Sequence, residues 1–375
     1  MRNSGILPIV SIIFSISACT NDGSIVLSLN IDAPECRNKS FCDYFSKVEI
    51  IPLEDSVILS NYQFSEPQYF AVTDESFFVL DERTNSVFRF DSAGRFIEET
   101  SRRGRGPGEY SLAYAIRTDE GSNTLRVLDP RGSVYYYDIT ASSRFVSSEE
   151  IDGVLAVQNF VQAGEEVILF SSSEDRHLRV WDGKKLTDIP YRSEIPLKGQ
   201  YNAADPVICD NGNYFYYEGY SGNIYSLSDD LKTISLSYIW DFGRHTLNSD
   251  KIKDPNYDFM NILKGDMFDI VFPFANLQII DNVIWATVIY HNQEHSLIYD
   301  LDTGDHSFFR LFSEGVRFKF QARHKDNLYL MVEPESLHEF VNESVLDERG
   351  KVVLREIPKG QVNPVILKYS LLSNC

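Results

Sequence analysis

Short apolar runs alternate with clusters of Gly, Asp, Asn and Ser along most of this chain, and no long segment before about residue 243 repeats its apolar positions at helical spacing. Residues 76–100, SFFVLDERTNSVFRFDSAGRFIEET, hold three such runs, at 77–80, 87–90 and 95–98, parted by DERTNS and DSAG. Both separators carry turn chemistry: Asp, Asn and Ser hydrogen-bond their own backbone, and Gly supplies positive φ. The stretch predicts a strand–turn–strand–turn–strand meander. The same unit returns at 124–146, 166–189, 213–236 and 283–311, and 327–341 begins a sixth. The residue closing the second run is Asp91, Asp138 and Asp182, then Ser228, at intervals of about 45 residues. Asp300 follows later because an insertion intervenes.

Repeats of four short strands at this period predict an all-β fold, a six-bladed β-propeller of four-stranded blades, because a lone blade cannot bury both faces and must stack on neighbours. A ring also needs closure. KVEIIPLE (47–54) is a lone strand before the first full unit, and NPVILKYSL (363–371) a lone strand after the last. Their pairing would staple the ring shut and remove its edges. No mid-chain linker divides 47–375, so it is expected to be one propeller domain. The insertion at 243–273 reads either as a short helix capping one mouth of the ring or as a long surface loop.

The N-terminus follows a different pattern. Arg2 precedes an apolar run from Ile6 to Ile16 that is too short for a stable transmembrane helix, then small residues lead to Cys19. Residues 1–18 are therefore expected to be a signal peptide and 19–46 a tether and N-terminal segment. Ile16-Ser17-Ala18-Cys19 resembles a bacterial lipobox, which implies lipidation of Cys19 and attachment to a membrane through that anchor. The other reading is an ordinary signal cleaved after Ala18, leaving Cys19 a free thiol.

Composition narrows the partners. The formal net charge of −20 disfavours nucleic acid, whose phosphates require clustered Lys and Arg. The 25 Phe and 21 Tyr suit half-buried pleated surfaces and support the strand reading. Beyond Cys19 the cysteines are Cys36, Cys42, Cys209 and Cys375. An exported chain can form disulfides, and Cys36 and Cys42 lie close enough in sequence to close a small loop. Cys209 and Cys375 would pair only if the fold joined them. No CxxC spacing points to zinc.

VFRFDSAGRFIEETSRRGRGPGEY, with VEIIPLE upstream and NPVILKYSL at the end, resembles the six-bladed β-propeller lipoproteins of Bacteroidota, distant relatives of NHL-repeat propellers. The likeness spans essentially the whole mature chain and is most specific at Gly104–Tyr110. It implies an exported, lipid-anchored, single-domain propeller at the outer membrane, on its periplasmic or its surface face. It implies no particular reaction. The wider group includes peptide-amidating lyases, lactonase-like enzymes and surface binding proteins, whose activities depend on a metal held in the central channel. No ligand set here matches theirs, so no catalytic residue, metal ligand or cofactor is carried over.

RRGRGPGEY (102–110) is a basic glycine loop in an acidic chain. No Lys or hydroxyl follows its glycines as a P-loop requires, and Pro107 with strands on both sides excludes a dinucleotide fold. It is expected to cross from blade one to blade two, with Gly104, Gly106 and Gly108 supplying unusual backbone angles and Pro107 stiffening the path. Glu109 would pair with Arg103 or Arg105. Two roles stay open: these charges lock the loop, or Arg103, Arg105, Glu109 and Tyr110 line the channel mouth and meet a ligand.

The remaining candidates read as structure. His291 and His295 have helical zinc-pair spacing but flank a predicted hairpin turn, and His177, His245, His306, His324 and His338 follow no spacing rule. Trp181 and Trp240 fit packing positions, while Glu149-Glu150 and Asp229-Asp230 fall at turns. Asp55-Ser56-Val57 and Asp91-Ser92-Ala93 resemble a Bacteroidota O-glycosylation acceptor. The expected function is a binding or scaffold module at the cell envelope, its ligand a peptide, a glycan or an envelope protein. The rival reading is a metal-dependent lyase or hydrolase; a purely structural partner in a larger complex is the third.

Overall fold

Carboxylates set the strand ends. In the computed structural model, which describes residues 23–60, 66–118, 123–154, 156–171, 178–191, 205–248 and 268–372, Asp91 accepts the backbone amides of Ala93 and Arg95, each at 2.9 Å. Asp138 accepts that of Thr140 at 2.9 Å, and Asp182 those of Lys184 and Lys185 at 2.8 and 2.7 Å. Asp300 takes Asp302 and Thr303 at 2.9 Å, and where Ser228 replaces Asp its hydroxyl takes Thr233 at 3.1 Å. The periodic Asp is thus the acceptor of an Asx turn, and it recurs because each sheet turns at the same place.

Six sheets result, five of four strands and one of five. Blade one spans 70–101, blade two 115–150, blade three 159–188, blade four 207–241 and blade five 274–309, each an antiparallel meander running outward from the axis. Blade six spans 322–371 and takes its outermost strand from the N-terminus. Phe45–Pro52 pairs antiparallel with Val365–Leu371, Val48 facing Tyr369 and Ile50 facing Leu367. The ring closes as the two lone strands predict. Each quoted repeat starts on a blade's second strand; the innermost strand lies just upstream, short and mostly apolar.

Both faces of a blade are buried, which is why its strands read as unbroken apolar runs. Along Ser76–Asp81, Phe77 and Val79 join Tyr329, Met331 and Ile366 of blade six, while Phe78 and Leu80 join Ile116 and Val127 of blade two. Every neighbouring pair of blades encloses one such cluster. Each large apolar side chain so buried contributes roughly 1.5–3 kcal/mol before chain entropy is counted.

The stretch expected as a tether does more from Ile25 onward. Ile25–Ser28 adds a fifth strand to blade four, parallel to Ile234–Asp241. The one-turn helix Pro34–Arg37 packs on the outermost strand of blade five, His306–Phe309. Phe41 and Phe45 then enter the cluster between blades five and six. The N-terminal segment is a belt round the outer edges of three blades. Asp32 fastens it, accepting from Arg244 at 2.8 Å and lying 3.1 Å from Nε2 of the buried His245.

Of the insertion at 243–273, residues 249–267 lie outside the described residues, and with them the expected capping helix; its described start is a 3-10 turn, Gly243–His245. An unexpected helix, Glu348–Glu356, stands between the second and third strands of blade six. Asp347 caps it by accepting Gly350 N–H at 2.7 Å. Cys36 and Cys42 form no bond: the buried Cys36 thiol points to the Asn30 carbonyl at 3.5 Å, and Cys42 is exposed. Cys19 and Cys375 lie outside the described residues.

Candidate functional site

The glycine loop is held by one carboxylate. Glu109 Oε2 accepts the backbone amides of Arg105 and Gly106 at 2.9 and 2.8 Å, and Oε1 accepts Arg102 Nε at 3.1 Å. The ion pair is therefore with Arg102, and Arg105 takes part through its backbone; neither the Arg103 nor the Arg105 side chain is the partner expected. These bonds hold the Glu109 carboxyl below the usual glutamate range, the amide of Gly106 first. A Cβ on Gly104 would lie 1.9 Å from Glu109 Oε2, so only glycine allows that carboxylate to fold inward. Gly108 has φ +75°, and a Cβ there would lie 2.6 Å from Phe145 Cβ.

Tyr110 is buried, its hydroxyl 3.1 Å from Ser101 Oγ and its ring against Tyr135, and burial pushes its pKa up. Tyr137 donates to the Gly108 carbonyl. Beyond the loop itself, these contacts reach the two outer strands of blades one and two. The loop is a lock on the outer rim, and the expected place at the channel mouth is not where it packs. Arg103, Arg105 and Pro107 are left exposed on that rim.

The central channel is built from residues one per blade. Near the exits of the innermost strands stand Val72, Arg117, Gln162, Cys209, Gln278 and Arg323, all lining a cavity of about 640 Å³. Arg117 reaches Asp205 and Asn159 at 2.9 Å each, and Asn159 in turn donates to Asp205 at 2.8 Å, so blades two, three and four are tied together. Arg323 donates to Asp210 of blade four at 3.0 Å. His324 Nε2 lies 2.9 Å from Asp74 Oδ1 at blade one, where Lys325 also donates, and the Lys325 bond is the first cause lowering the Asp74 carboxyl to about 2. At the other end of the innermost strand of blade one, Glu66 stands with Glu82, Glu294 and Lys319 around it. Burial raises the Glu66 carboxyl, opposed by Lys319 and helped by Glu82 and Glu294.

A divalent cation does not suit this lining. Its carboxylate, Asp205, is already spent on Arg117 and Asn159, and guanidinium groups stand around it. Among the described residues no group of three His, Cys, Asp or Glu gathers at metal-binding distance. His291 occupies a two-residue hairpin turn with Asn292, both at positive φ, and bonds Asp269 at 2.7 Å. His295 stacks on Phe308, and burial lowers its pKa. Trp240 is buried and donates to the Gly222 carbonyl at 2.8 Å.

A second cavity, about 860 Å³, lies between the belt and the edges of blades five and six. Tyr44 and Trp285 stand on its wall with six carboxylates: Glu35, Asp43, Asp281, Asp300, Asp305 and Asp326. Sequence reasoning found neither cavity. The channel residues are single polar positions in strands of three to seven residues, and no local spacing marks them.

Six radially stacked, Velcro-closed sheets around a polar channel define a six-bladed β-propeller. The chain belongs to the family described as Domain of unknown function (DUF4934), which it matches over residues 25–370. No curated protein matches it. Among solved structures, it is similar to a Bacteroides fragilis NCTC 9343 protein described as exported, with a TM-score of 0.69 at 16% identity, over 93% of this chain and 100% of that one. It is also similar to a member of the duf4221 family from Bacteroides vulgatus ATCC 8482, with a TM-score of 0.55 at 11% identity, over 88% and 97% of the two chains. At these identities the likeness is one of fold.

Proposed function

We propose that the chain is an exported binding module that takes a small polar ligand into its central channel. One observation carries this reading: all six blades send a residue to a single cavity whose size suits a small molecule, and most of those residues are polar. The described part of the chain also holds a belt and a closing strand that make the ring rigid, so the channel groups are positioned before any ligand arrives. Export is supported by the apolar run before Cys19 and by the fold shared with a protein described as exported. Lipidation of Cys19 would place the module at the cell envelope, and Cys19→Ala would then release it from the membrane fraction.

The test is a thermal-shift and calorimetric screen of residues 20–375 against neutral, acidic and basic sugars and short peptides. Saturable binding that Gln278→Ala or Gln162→Ala weakens supports the channel; binding indifferent to both overturns that site. Elemental analysis of the same sample, purified without chelator, tests the rival. Near-stoichiometric zinc or calcium would favour the metal-dependent lyase or hydrolase.

A further inference from the structure

Resting on the channel reading, we propose that its ligand is a hydroxylated oxyanion, a carboxylate or phosphate ester carrying neighbouring hydroxyl groups. The chain as a whole is an anion of charge −20, yet the permanent charges that line this cavity are Arg117, Arg126, Arg323 and Lys325 against Asp205. Two further carboxylates stand behind the lining, Asp210 on Arg323 and Asp74 on His324 and Lys325. Four fixed cations thus face three carboxylates. An anion repelled by most of the surface is accepted here.

The cations are also held still. Arg117 is gripped by Asp205, Asn159 and the Pro67 carbonyl, and only 17% of its side chain is exposed. Arg323 is held by Asp210 and the Lys325 carbonyl, and Arg126 lies over the Tyr136 ring at 5.9 Å. A guanidinium has five N–H donors: Arg117 spends four, on Asp205, Asn159 and the carbonyls of Pro67 and Ile116, while Arg323 spends two and among the described residues keeps an open edge of the planar fork that matches an oxyanion. Pre-positioned side chains give up little entropy on binding.

The hydroxyl requirement comes from Gln162. Its Nε2 donates to the carbonyls of Gly164 at 2.8 Å and Glu166 at 3.0 Å, which fixes which end of the amide is which. Its Oε1 is buried, and among the described residues no donor reaches it. A buried acceptor left unpaired costs free energy that a ligand hydroxyl would recover.

Cys209 supplies the assay, since this exposed thiol lines the same cavity from blade four. Residues 20–375 carrying Cys42→Ser, with Cys36 buried, would be alkylated by iodoacetamide, and Cys209 followed by mass spectrometry. Glucuronate and glucose 6-phosphate are the anionic probes, and glucose is the neutral control. The expected result is saturable protection of Cys209 by one or both anions, a difference that separates carboxylate from phosphate, and none by glucose. Arg323→Gln should weaken protection about tenfold, the loss of one charge-assisted contact. Lys325→Gln, at an exposed rim position, repeats the test should the first variant misfold. Equal protection by glucose, or protection unchanged in both variants, overturns the anion assignment and leaves the channel as the site. Protection by no probe, with none of the screened ligands binding either, overturns both.

Discussion

The two cavities of this propeller employ their charges differently. Around the belt cavity the carboxylates serve local turns: Asp43 accepts the amide of Ser40, three residues away, and Asp300 those of Asp302 and Thr303. In the central channel the ion pairs cross the ring, Arg117 with Asp205 from blade two to blade four, Arg323 with Asp210 from six to four, and Lys325 with Asp74 from six to one. One set shapes a surface, and the other holds blades in place around an axis. A negative chain can therefore carry a basic centre, because its acidic residues are spent on turns and its cations are gathered where the blades converge.

The largest expected effect breaks the belt side. Phe45 is buried, with ring centroids 4.8 Å from Phe318, 5.1 Å from Phe41 and 5.3 Å from Tyr369. Phe45→Ala should cost about 4 kcal/mol in chemical denaturation and expose Cys36 to thiol reagents, as closing strand and belt loosen together. On the other side of the ring, Gly108→Ala forces a methyl onto Phe145 at positive φ. It should cost about 3 kcal/mol without altering Cys36 reactivity. Arg117→Met strands Asp205, which is only 14% exposed, and should cost about 2 kcal/mol; a double-mutant cycle with Asp205→Asn should recover much of that loss.

The smallest effects are in pH and sharpen the contrast between the two ends of the innermost strand of blade one. Glu66 has a raised native pKa, so the native state holds its proton longer than the unfolded chain. Its contribution to stability falls as pH rises from the ordinary glutamate value through the native one, and Glu66→Gln should flatten that limb of the stability curve. Asp74 has the opposite sign. Its native pKa is lowered to about 2, so the stabilisation from Lys325 and His324 is present above the ordinary aspartate value and is lost as pH falls toward 2. Asp74→Asn should remove that acid limb alone.

The propeller was legible because its signals repeat. The Asx acceptors Asp91, Asp138, Asp182 and Asp300 recur by necessity, and strands buried on both faces, such as Ser76–Asp81, have no polar alternation to confuse the reading. The closing strand announced itself as an apolar run without a neighbour. The four residues Ile25–Ser28, three of them apolar, gave no such cue beside the polar TNDGS, since their pairing lies about two hundred residues away in blade four. Helix Glu348–Glu356 carried its cap in plain view at Asp347, but only Val353 and Leu354, with Ile357 just beyond, mark an apolar face, and Val352 beside them is exposed. Channel residues such as Arg117 and Arg323 sit in strands too short to show a period, and only the closed ring brings them together. For the glycine loop, the conformational reading held, yet which arginine meets Glu109 depends on the fold of one side chain back over Gly104.

The belt and closing strand also fix an order in time. Residues 25–52 are made before their partners: Ile25–Ser28 has none until 234–241 exists, and Phe45–Pro52 none until 365–371 follows. Contacts so distant in sequence close slowly. The closing strand therefore waits unpaired until almost the whole chain is available, so the ring is finished at its beginning. A chain cut short before residue 365 would present that apolar strand to whatever it met first, and a blade of another copy offers the nearest match.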